Sequence, residues 1–244
     1  MIRLFKSHTM EEWQQTEDFK KVSKATPREF VELYFNRMPL RTKWQISKYI
    51  FAPFDGIVVH IGRYNPDEDV LNVKGKSYTI NEVLDSEMKC ECYACAIFLT
   101  AFSVHLGRSP IKGIVRSIKE LEPTVTENLS MIPAEYDIIT NKKPKPENLH
   151  FTFKNERKVI ELYNPIKNFD CVICSIADRE VNSILDFVDE NQPVHQGQRL
   201  QFVCWGSYAL LVIPVNRKHI KLNPLVKELD YVYAGQTAIF EFAN

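Results

Sequence analysis

The stretch Gln198-Arg199-Leu200-Gln201-Phe202-Val203-Cys204-Trp205-Gly206-Ser207-Tyr208-Ala209-Leu210-Leu211-Val212-Ile213-Pro214 decides how the chain is read. It is mostly apolar, and its β-branched and aromatic residues suit a pleated, half-buried surface. It predicts a buried strand over residues 200–213. Gly206-Ser207 interrupts that strand with a residue lacking Cβ, followed by a small nucleophile. A glycine inside a strand run marks a bulge or a close backbone approach. Taken alone the pair is too common to carry a function, since a strand serine is ordinarily satisfied by backbone groups.

Working outward, further strands are expected at 50–61, 91–102, 113–118, 150–154, 158–163, 169–175 and 231–240. Turn signals separate them at Pro53 with Asp55-Gly56, at Pro110 and at Pro193 to Gln198. Residues 178–188 read as a short helix, and 79–84 as one capped helical turn. Residues 9–36 read as helical, with Thr9 and Thr26 as caps and Pro27 at a first helical position. The expected fold class is α+β, mostly β: an antiparallel sandwich or partial barrel with an N-terminal helical flank. Residues 1–44 would form the helical region packed on the core, and 45–244 the β-rich domain.

The 244 residues suffice for one substantial core. Thirty-one basic and 31 acidic residues leave zero formal net charge. A broad basic field for nucleic acid is thereby excluded, although a local patch is not. No apolar run reaches the roughly 20 residues of a membrane span. The N-terminus lacks the apolar core of a signal peptide, so cytoplasm is the default expectation. Cys92-x-x-Cys95 and Cys171-x-x-Cys174 have zinc-like spacing. Both lie in strand-like runs, where alternation points the members of each pair to opposite faces. Buried free thiols are therefore expected, and no metal site.

Six blocks in order carry a resemblance. They are Tyr34-Phe35-Asn36-Arg37-Met38-Pro39-Leu40, Phe51-Ala52-Pro53-Phe54-Asp55-Gly56-Ile57-Val58, Val73-Lys74-Gly75-Lys76-Ser77-Tyr78-Thr79-Ile80, Ile97 to Pro110 with Val104-His105-Leu106-Gly107-Arg108, Asn155-Glu156-Arg157, and Gly197 to Pro214. Together they resemble the phosphatidylserine decarboxylases, which make a pyruvoyl group from one of their own serines. The resemblance implies self-cleavage between Gly206 and Ser207, with Ser207 supplying the pyruvoyl cofactor. A serine hydroxyl needs a base, and a decarboxylation needs an electron sink that no natural side chain offers. His105 is the candidate base and Asp55 its candidate orienter. Arg108 stands where longer members carry a second histidine; always protonated, it is a candidate for binding a substrate phosphate or carboxylate.

Tyr208 and Trp205 depart from the family pattern on either side of the Gly-Ser bond. The implied substrate is phosphatidylserine, with peripheral membrane contact and a homo-oligomer as further expectations. Two alternatives stand beside it. One is the same chemistry on a soluble amino acid, aromatic ones included; the other is an uncleaved family member acting as a binding module.

Overall fold

Alternation along Cys92–Leu99 sends Cys92, Ala94, Ala96 and Phe98 to one side of a strand and Cys95, Ile97 and Leu99 to the other. Both sides are buried, so this strand lies between two layers. The computed structural model describes residues 6–43, 45–67, 71–73, 76–179, 184–204 and 207–243, with only the backbone described at 71–73, 76–78 and 207. Its first strands are β1 (Tyr49–Phe51), β2 (Gly56–Tyr64), β3 (Leu71–Val73), β4 (Lys76–Tyr78), β5 (Cys92–Leu99) and β6 (Leu106–Arg108). Next come β7 (Gly113–Leu121), β8 (Arg157–Asn164), β9 (Phe169–Ala177), β10 (Ile184–Asp186), β11 (Pro193–Val194) and β12 (Arg199–Val203). The last are β13 (Ser207–Pro214), β14 (Leu222–Pro224), β15 (Tyr231–Val232) and β16 (Ala238–Phe242).

An eight-stranded antiparallel sheet runs β11-β7-β8-β9-β13-β5-β2-β15. Two three-stranded sheets, β1-β16-β14 and β10-β12-β6, accompany it. One face of β5, β9 and β13 packs with Ile50, Leu222, Ile239, Leu200 and Val203 of the smaller sheets. The other face lies under helices: Trp13 of α1 (Met10–Gln14), Ile80 of α4 (Ile80–Leu84), Ala134 of α5 (Ile132–Ile139) and Phe151 of α6 (Phe151–Lys154). Two short helices, α2 (Glu17–Ser23) and α3 (Pro27–Glu29), precede a π-helical turn, Phe30–Phe35.

The expected mostly-β α+β class is what the chain adopts. Thr9, Thr26 and Thr79 each close a capping box with the glutamate three residues on. Trp13 stacks on Tyr231 with ring centroids 4.2 Å apart, fastening α1 to the sheet edge. Cys92 and Cys174 face the helical layer, Cys95 and Cys171 the opposite one. The pairs are therefore split across the sheet, and burial pushes the Cys92 and Cys174 thiols up to about 12.

Four expectations change. Residues 151–154 form α6, because Phe151 and Phe153 are needed as a plug over the sheet face rather than as strand residues. In 178–188, Ile184–Asp186 pairs with β12 as a strand, while 180–183 lie outside the described residues. The run 231–240 is two strands in different sheets, separated by a turn at Gly235 with φ +65°. The central stretch is likewise two strands, β12 and β13, in different sheets.

Gly56 shows how tightly the sheet closes around Asp55. A Cβ there would stand 2.3 Å from the Phe98 carbonyl oxygen of the paired strand. Backbone cannot step aside as a side chain end can. Gly56→Ala is expected to cost about 2 kcal/mol or more, read as a lowered denaturant midpoint with unchanged slope.

Candidate active site

The chain changes sheets twice at one corner. Strand β5 ends at Leu99 in the large sheet, and β6 begins at Leu106 in a small one. Strand β12 ends at Val203 beside β6, and β13 begins at Ser207 beside β5. The crossing 100–105 thus runs between the same two sheets that hold β12 and β13. The backbone of Ser207 pairs with Leu99 on one side and Ala177 on the other, while the Val203 N–H donates to the His105 carbonyl at 3.1 Å. This topology brings His105 and the start of β13 to a common corner. Trp205 and Gly206 lie outside the described residues.

His105 is fully buried. Its Nδ1 lies 3.0 Å from the Ser103 carbonyl oxygen. A carbonyl only accepts, so Nδ1 carries the proton and Nε2 keeps a bare lone pair. Among the described residues that buried Nε2 has no hydrogen-bond partner. Burial lowers the imidazole pKa to about 4; the Ser103 bond and Asp55 oppose that, and Arg37 adds to it. The ring is neutral at pH 7. Phe35, at the end of the π-helical turn, covers it with centroids 4.7 Å apart. The Ser103 hydroxyl sits 3.1 Å from the Thr100 hydroxyl and accepts from Tyr231 Oη at 3.4 Å, so the crossing is held from within the protein.

Asp55 does not meet His105 by a hydrogen bond. Its carboxylate, 2% exposed, accepts from both Nη atoms of Arg41 and from the Ala234 N–H at 2.7 Å. The orienting role expected of Asp55 is filled at Nδ1 by the Ser103 carbonyl; Asp55 acts on the ring only as a nearby charge. Arg108 donates to the carbonyls of Gly197 at 2.9 Å and Pro39 at 2.7 Å. Burial, then Arg41 and Arg199, lower its pKa to about 10.

Glu135 of α5 accepts from the Ala101 N–H at 2.8 Å, and burial raises its pKa. The same helix starts where the Met131 N–H donates to Asp178, the residue after β9. Helix α5 therefore grips both segments flanking Ser207. Ser103, Phe35, Arg41 and Glu135 had no role in the sequence reading. Phe35 and Ser103 belong to the family-like blocks, but nothing local to either signals its contact with His105.

A model of the phosphatidylserine decarboxylase family matches residues 31–240. The chain belongs to the phosphatidylserine decarboxylase family. A Methanocaldococcus jannaschii chain, provisionally named an archaetidylserine decarboxylase proenzyme, is 26% identical over 211 residues, covering 85% of this chain and 87% of that one. A phosphatidylserine decarboxylase proenzyme of Cytophaga hutchinsonii is 28% identical over 214 residues, 87% and 77% of the two chains. One from Ehrlichia chaffeensis is 25% identical over 207 residues, 85% and 71%. The region matched to the decarboxylase family holds Asp55, His105, Arg108, Gly206 and Ser207 together.

In this decarboxylase-family chain the Asp55–Arg41 pair is a tie between the segment before β1, the turn before β2 and the turn after β15. Removing one partner of a buried pair leaves the other charge uncompensated. Asp55→Ala is expected to cost about 3–5 kcal/mol, measured by urea unfolding of the purified chain. A loss of a few tenths would show the pair to be a surface bridge in effect.

Proposed function

We propose that the chain is a proenzyme that splits itself between Gly206 and Ser207, and that the pyruvoyl group left on residue 207 decarboxylates the serine head of a phospholipid, phosphatidylserine in the first instance. The observation that carries this reading is the buried, unpartnered Nε2 of His105, its lone pair exposed by the Ser103 bond, at the corner where β13 starts. A buried polar atom without a partner is costly and calls for an explanation. A proton arriving from a neighbouring hydroxyl supplies one.

In this reading His105 takes the proton of the Ser207 hydroxyl. The hydroxyl oxygen then attacks the Gly206 carbonyl, and the peptide bond becomes an ester. β-Elimination breaks that ester; tautomerisation and hydrolysis release ammonia and leave the keto group. Two fragments result, 1–206 and 207–244. The finished group supplies the electron sink for loss of carbon dioxide. The relatives' names share a seryl lipid and differ in its lipid part, which favours the head group as the recognised feature. Peripheral contact with a membrane belongs to the same reading, because such a substrate resides there. Among the described residues no helix is long and apolar enough to cross one.

Strand β13 lies between β9 and β5 in the middle of the large sheet, and β14, β15 and β16 pair with strands of the longer fragment or with each other. After splitting, the short fragment is therefore expected to stay bound. Native mass should remain that of the whole chain while denaturing conditions show two pieces. The test is intact mass under both conditions, with borohydride or amine trapping of the short fragment. A single untrappable species at 28.4 kDa would leave an uncleaved binding module. Carbon dioxide release from phosphatidylserine against free amino acids decides the substrate.

A further inference from the structure

The zero net charge conceals a strongly basic cleft assembled from separate parts of the chain. A cavity of about 400 Å³ is lined by Arg41 and Lys43 from the segment before β1, Arg108 from β6 and Arg199 from β12, with Leu40 and Phe187 at its side. Among the described residues no acidic side chain lines it. Arg108 and Arg199 are direct cross-strand partners in the β6–β12 ladder. Like charges opposite one another in an antiparallel pair are destabilising. The carboxylate of Asp55, which meets the cleft's Arg41, is already engaged by that residue and the Ala234 N–H. Among the described residues neither Lys43 nor Arg199 reaches an ion pair. The cleft thus holds more positive charge than the protein neutralises. Leu40 is 94% exposed and Phe187 42% exposed, two large apolar side chains in water beside those cations.

We propose that this cleft docks the protein on an anionic lipid bilayer, with Lys43 and Arg199 facing lipid phosphates, the buried Arg108 adding positive charge behind them, and Leu40 and Phe187 entering the apolar layer. Cations beside protruding apolar residues match such an interface, where phosphates lie directly above hydrocarbon. A soluble anion would satisfy the charges and leave Leu40 and Phe187 without a purpose. The inference rests on the lipid-substrate reading above for its biological sense, but it needs no chain splitting.

The test is sedimentation of the intact protein with phosphatidylcholine vesicles, with and without phosphatidylglycerol. Binding is expected to the anionic vesicles alone and to weaken as salt is raised. The double variant Lys43→Glu/Arg199→Glu should bind about thirtyfold more weakly or worse, at roughly 1 kcal/mol per basic residue near the surface. Leu40→Ser, at a position too exposed to affect folding, should weaken binding without changing the salt dependence. Circular dichroism and unfolding midpoints confirm that each variant is folded. Wild-type protein that stays in the supernatant, or variants that pellet as well as wild type, would overturn the proposal. So would titration of inorganic phosphate into the cleft without vesicle binding, which would mark a soluble-anion site. The same samples are scored for chain splitting. A protein that splits but does not bind vesicles sinks only the docking surface; one that binds but never splits sinks only the pyruvoyl reading.

Discussion

Ser207→Ala should yield a single chain of 28.4 kDa under denaturing conditions, where the wild type yields fragments 1–206 and 207–244. The effect is expected to be complete, because alanine has no oxygen with which to form the ester and no alternative nucleophile shares that backbone position. The substitution removes one atom at the first residue of β13, whose backbone ladder to Leu99 and Ala177 does not depend on the side chain. The variant should therefore fold with the wild-type circular-dichroism spectrum as one uninterrupted chain. It would also be inert to amine trapping and to borohydride. Fragments from this variant with the same ends would show that some other group breaks the chain, and the proposed nucleophile would have to be abandoned. An unsplit wild-type protein would do the same for the whole scheme.

Much of this corner was legible in the sequence, and the limits of that reading are physical. The capped helices announced themselves because a capping box is a contact between residues three apart. The split C-x-x-C pairs followed from strand alternation alone. The stretch 198–214 did not reveal that it is two strands, because Leu200, Phe202, Leu211 and Ile213 are equally apolar whichever sheet they join. Periodicity reports burial, and both sheets are buried at this corner. Residues 150–154 misled for a related reason: phenylalanines favour strands on average, but here they cap the helical layer.

At the candidate site, His105, Asp55 and Arg108 are singled out by their blocks, while the partners the fold gives them are not. Asp55 was matched with the histidine because both belong to recognisable blocks. Arg41, which claims that carboxylate in the fold, stands just past the end of a quoted block, and its pairing is a product of three-dimensional closure. The Ser103 carbonyl could not have been singled out, since every residue has one. Lys43 and Arg199 do not stand out in a chain with 31 basic residues until the fold gathers them around Arg108, which β6 and β12 set opposite Arg199.

The environment of His105 makes its own prediction about pH. Its pKa falls from the ordinary 6.5 to about 4, chiefly because burial disfavours the charged ring. Splitting that depends on the neutral imidazole should then be constant from neutral pH down to about 5 and fall to half near 4. An ordinary solvated histidine would give half-loss near 6.5. The same shift acts on stability. The unfolded chain binds a proton below 6.5 that the folded chain refuses until near 4. The stability from keeping this ring neutral is therefore fully present above 6.5 and lost as pH falls through that window, by about 3 kcal/mol. His105→Gln fills the same space without a titrating group, so its denaturant midpoint should lose that component of pH dependence. Its splitting should slow by about 10²–10⁴-fold, the usual worth of a positioned base. A glutamine variant that splits at the wild-type rate, or a wild-type profile with its midpoint near 6.5, would place the base elsewhere. Slow splitting with an unchanged stability profile would separate the two claims: the proton acceptor would stand, while the depressed pKa of a buried ring would not.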